Sequence, residues 1–152
     1  MNTLRASARW VAIAAAFVNL GIHLVLTPDH LAEKLYIGVL FIIGSALLGM
    51  VMVGLGSDRD RLRTIAWTGG AIVCAVEFGA FVASRTTGLP LGYKESWFGG
   101  MSTTEDVLGM ASLFVELVFI GCALLSLTRS QPKRVGPRAA RMPLHDRTAP
   151  LA

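Results

Sequence analysis

Apolar residues in this chain are gathered into four blocks, 8–26, 35–55, 64–83 and 107–127, with short polar stretches between them. Crossing a hydrocarbon core of about 30 Å takes roughly 20 mainly apolar residues in α-helical form, and each block has that length. The pattern predicts an all-α fold, a four-helix transmembrane bundle. The first block could instead be read as a cleaved leader, because Arg5 and Arg9 precede an apolar run that contains Ala14, Ala15 and Ala16. The run before those alanines is too short for a leader core and the apolar sequence continues well past them, so an uncleaved first helix is expected.

The connections refine the helix ends. Thr27 precedes Pro28, a position biased away from helical geometry, while Pro28 suits the first turn of a helix and Asp29 complements its dipole. Helix two is therefore expected to start at Pro28, and spans of about 8–26, 28–55, 64–83 and 103–128 follow. Ser102 stands three residues before Glu105 and just ahead of an apolar run, the spacing of a capping box. Residues 84–101 form a long loop rich in glycine and aromatics, expected to close the bundle from above. Residues 1–128 then make the membrane domain, and 129–152, with four prolines and many cations, a disordered basic tail.

Composition agrees, and charge adds direction. With 53% hydrophobic and 16% charged residues, too little polar sequence remains to cover a water-facing globule. Eleven of the fourteen Lys and Arg residues flank the N-terminus, the second loop and the tail, leaving Lys34, Arg85 and Lys94 on the other side. Cations beside a span are retained in the cytoplasm. Both termini are accordingly placed there, with the long loop between helices three and four extracytoplasmic, in a multi-pass protein of the plasma membrane. The net charge of +4 reports this topology and not nucleic-acid binding, since no folded domain presents the cations. Trp10 and Trp67 at one end, and Tyr36, Tyr93 and Trp97 at the other, fit two interfacial belts.

Candidate chemistry resides in the few polar residues inside the spans, because an ionisable group at that depth costs roughly 2.5–3.5 kcal/mol and needs a reason to be there. Asn19 and His23 are four apart, Cys74 and Glu77 three, Ser112 and Glu116 four, so each pair shares a helix face. Facing inward, Asn19, His23, Glu77, Ser112 and Glu116 would form a polar column descending from the outer surface. His23, His30, Glu77 and Glu116 could supply nitrogen and oxygen ligands to a divalent metal. A quinone hydrogen-bonded by His23, a short proton path, or plain interhelical glue are the other readings. Cys74 and Cys122 lack the Cys-x-x-Cys spacing of thiol redox chemistry and read as small apolar residues. No catalytic motif occurs, so the expectation is a binding or accessory protein of the membrane, with a membrane-complex partner or a second copy besides the lipid bilayer. Small residues, Ala12 and Ala16 in span one, Ser45 and Gly49 in span two, and Ala75, Gly79 and Ala83 in span three, mark expected helix contacts.

The stretch Gly21-Ile22-His23-Leu24 through Pro28-Asp29-His30-Leu31, with Tyr36 to Phe41 after it, resembles small four-span membrane proteins of actinobacterial type and, more distantly, the DoxX-like group. The resemblance covers the first two spans, with His23 and Pro28 as the matching positions. It implies a link to quinone-dependent oxidation or to membrane redox complexes.

Overall fold

The computed structural model describes residues 2–97 and 103–128. Four helices account for most of them: α1 (Asn2–Glu33), α2 (Leu35–Gly56), α3 (Asp60–Arg85) and α4 (Thr103–Thr128). Each is long and apolar enough to cross a bilayer. Each helix packs on two others: α1 on α2 and α4, and α3 on the same two, while the diagonal pairs keep their backbones apart. The result is a square bundle with an axial space that only side chains enter.

Large apolar side chains cover its outside, among them Phe17, Val25, Val53, Val76 and Phe114, each more than 60% exposed. A water-soluble protein rarely shows such a surface. The helices bury narrow stripes instead. In α1 the buried positions Ala12, Ala15, Ala16, Asn19, Ile22, His23, Leu26, Thr27 and His30 follow the helical repeat without a slip. The protein is thus a multi-pass membrane protein, with its apolar outer face in contact with lipid.

That unbroken stripe corrects the expected start of helix two. Pro28 lies inside α1, and the helix continues to Glu33. Proline forfeits one backbone bond, but membrane helices accommodate this through local hydroxyls and neighbours. The freed carbonyl is that of Leu24, and one residue earlier Thr27 Oγ1 donates to the His23 carbonyl at 2.6 Å. The break falls at Lys34, whose extended backbone (φ −146°, ψ 107°) is the single residue between α1 and α2. So tight a connection presses the first turn of α2 onto the last turn of α1. Gly38 is required there, since a Cβ would stand 2.7 Å from the Leu31 backbone nitrogen.

The core is layered along the bundle axis. At the end bearing the N-terminus it is apolar, with Leu48, Val51, Leu55, Ala66, Trp67, Cys74, Phe119 and Ala123 closing the interior. Trp67, expected at the interface, is only 6% exposed and packs on Phe119 with ring centroids 5.9 Å apart. Ala12 and Ala16 are buried as expected, whereas Ala75 and Gly79 face outward. Above the apolar plug comes a polar layer, then a cavity, then the segment 86–97. The expected cap at Ser102 and the tail from 129 onward lie outside the described residues.

Candidate functional site

Four residues from three helices meet on the bundle axis. Asn19 of α1 donates through Nδ2 to Glu77 Oε2 of α3 at 3.0 Å and to Glu116 Oε1 of α4 at 3.5 Å. Ser112, one turn before Glu116, lies 2.6 Å from Asn19 Oδ1 and 2.9 Å from Glu116 Oε1, and its hydroxyl proton serves one of these at a time. The Asn19–Glu77 bond crosses the diagonal of the square. One amide therefore ties three helices together through buried polar contacts.

His23 joins the same group from one turn above Asn19. Its Nδ1 stands 3.9 Å from Glu77 Oε1, beyond hydrogen-bond reach. Gly44 of α2 makes room for that carboxylate, because a Cβ at this position would lie 2.6 Å from Glu77 Oε1. The arrangement leaves His23 Nδ1, Glu77 Oε1 and Glu116 Oε2 buried without a protein partner. Such atoms are uncommon in native interiors and costly when left bare.

All three residues line a cavity of about 370 Å³. Its floor is His23, Glu77, Ser112 and Glu116, and its side walls are mainly apolar. On the α2 and α3 side, Leu40, Ile43, Ile72 and Val76 line the cavity and are also about half or more exposed on the lipid-facing surface. The cavity therefore reaches the outside sideways, between these two helices.

The roof is built by the segment 86–97, which folds back over the helix ends. A 3-10 turn, Pro90–Gly92, is flanked by a bridge from Leu89 to Tyr93. Lys34 Nζ and the Tyr36 hydroxyl donate to the carbonyls of Leu91 and Pro90. Arg85 pairs with Glu95 at 2.7 Å and lies 3.6 Å from the Phe81 ring centroid. Tyr93, only 3% exposed, plugs the top: its hydroxyl donates to Glu95 and stands 3.4 Å from His30 Nδ1. Burial, followed by the hydrogen bond to Glu95, holds the Tyr93 phenol well above the usual tyrosine range.

His30 is held at the roof and not on the cavity floor. It lies one face-repeat above His23, and the Phe41 ring touches both, with centroids 4.8 Å from His23 and 4.4 Å from His30. Ligand atoms of His30, Glu33 and Glu95 come within 4.8 Å of one another. Glu95 is already engaged by Arg85 and Tyr93, and the contact between α1 and the roof here runs from His30 Nδ1 to the Tyr93 hydroxyl. The four residues considered for a metal are thus divided, with His23, Glu77 and Glu116 on the floor and His30 above. Cys74 and Cys122 are both free thiols, Cys74 within the apolar plug.

Sequence reading missed Gly44, Phe41 and Tyr93 as parts of the site. Gly44 leaves no signal of its own, because its role depends on which residue faces it from α3. Comparison with known proteins finds no matching family model, no similar curated protein and no similar solved structure. The DoxX-like resemblance accordingly rests on the short motifs of the first two helices alone.

Proposed function

We propose that the protein is a membrane binding or accessory protein that takes a lipid-soluble amphipathic molecule into its bundle. The molecule enters sideways between α2 and α3 and seats its polar group on His23, Glu77 and Glu116. The observation that carries this reading is the set of three buried, unpartnered polar atoms on the floor of an otherwise apolar cavity. Interhelical glue alone would have used those atoms, since a polar group bare in a low-dielectric interior costs roughly 1–3 kcal/mol. With the roof latched by Arg85, Glu95 and Tyr93, the lateral route is the open one. In this reading the roof faces outward from the plasma membrane, which the distribution of cations along the chain supports.

Mass spectrometry of the protein purified in nanodiscs tests this reading. A small amphiphile should travel with the wild-type protein and be lost from His23→Ala and Glu77→Gln variants that remain folded. Identical small-molecule content in all three would overturn it. Elemental analysis of the same samples decides whether a divalent metal occupies the floor.

A quinol ring is a second reading, supported by the 3.9 Å gap between His23 Nδ1 and Glu77 Oε1, which one hydroxyl can bridge by donating to either. The sequence resemblance at His23 and Pro28 points the same way. Absence of any electron transfer to or from soluble quinone analogues would end it.

A further inference from the structure

We infer that the polar group seated on the cavity floor is a cation, specifically a lipophilic primary ammonium. This inference rests on the binding reading above and adds the charge and donor count of the ligand.

Proton counting is the first argument. Within the floor cluster, Asn19 supplies two amide protons and Ser112 one hydroxyl proton. With both carboxyls ionised and the His23 proton on Nε2, four carboxylate oxygens, the Asn19 carbonyl and His23 Nδ1 stand against them. The cluster is short of donors, and the shortage falls on His23 Nδ1, Glu77 Oε1 and Glu116 Oε2. A primary ammonium carries three N–H donors and no acceptor. A neutral alcohol brings one donor together with an oxygen that would itself need partners.

Charge is the second argument. Two carboxyls share one amide nitrogen on the bundle axis, so their charges sit close together when both ionise, and a cation between them offsets the repulsion. The fixed cation in the cavity wall, Arg85, is spent on Glu95, and it stands eight residues along α3 from Glu77, about 12 Å at 1.5 Å per residue. None of the α2 residues in the wall is charged. Buried charge without a partner is strongly unfavourable, and hydrogen bonds to ionised groups are about twice as strong as neutral ones. An incoming ammonium meets both needs, while its hydrocarbon part fits the apolar walls and the Phe41 ring suits a neighbouring cation.

Adamantan-1-amine and adamantan-1-ol make the test, because they share one compact hydrocarbon cage and differ in the group that would reach the floor. Each is titrated at neutral pH into the protein in nanodiscs, with empty nanodiscs as the blank. The amine should bind at least about tenfold more tightly, the ratio that 1.4 kcal/mol of extra interaction gives. Glu77→Gln and Glu116→Gln should each remove most of that preference. Gly44→Ala gives a second handle if a Gln variant fails to fold: its methyl displaces only the flexible end of Glu77, and it should weaken the amine more than the alcohol. Equal or tighter binding of the alcohol overturns the ammonium assignment and leaves the amphiphile reading standing. If neither compound binds and nothing co-purifies, both readings fall together.

Discussion

At the residue scale, Asn19 of α1 gathers the bundle beneath the floor, touching Glu77 of α3 and both Glu116 and Ser112 of α4. Interhelical hydrogen bonds in membranes average about 0.6 kcal/mol and reach about 1.7. Replacing Asn19 by Leu removes the shared donor and strands two carboxylates, so a loss of about 1–2 kcal/mol is expected. Unfolding in mixed micelles measures it, and Ser112→Ala should cost less, with non-additivity in the double variant because both act on Glu116 Oε1. An unchanged midpoint for Asn19→Leu would show that the contacts carry no stability. The shared helix faces were legible residue by residue, since these polar side chains stand at helical spacing inside apolar blocks. What each would touch was not.

At the element scale, α1 shows how packing overrides a local signal. Pro28 disfavours the helical state for Thr27, yet the buried stripe runs through it to His30, and the turn falls at Lys34 instead. Burying Leu26, Thr27 and His30 against α2 and the roof outweighs one missing backbone bond. Pro28→Ala restores that bond and should stabilise the bundle by about 0.5–1.5 kcal/mol. Destabilisation in the same micelle assay would instead mean that the proline sets the geometry of the helix end. Continuity of α1 has a consequence for the site: it puts His23 and His30 on one face, with Phe41 against both rings.

At the scale of the whole molecule, the bundle is sealed at both ends by different means. Trp67 and Phe119 fill one end with apolar volume, while a hydrogen-bonded roof closes the other. The roof depends on Tyr93 remaining a neutral donor. Its phenol is raised above the unfolded value of 10.0, so it contributes stability that is fully present below that pH and is lost as pH rises beyond it. An ultraviolet titration should show a tyrosine step above the usual range, and Tyr93→Phe should abolish that step. Ionisation of Tyr93 in the usual tyrosine range would mean that the roof leaves it open to water.

Sequence alone determined the number of helices and their membrane-spanning character, because apolar length and hydropathy are summed along the chain and need no knowledge of neighbours. It also singled out Asn19, His23, Glu77, Ser112 and Glu116 as the polar residues inside the apolar blocks. Tertiary structure decided the rest. That Gly44 faces Glu77, that Tyr93 turns inward as a plug, that Trp67 belongs to the core and that His30 parts from His23 all depend on which helix stands beside which. Helical periodicity fixes the face of a single helix, but its rotation and neighbours are set by packing summed over the whole bundle. The unpartnered atoms on the cavity floor exist only as a result of that sum.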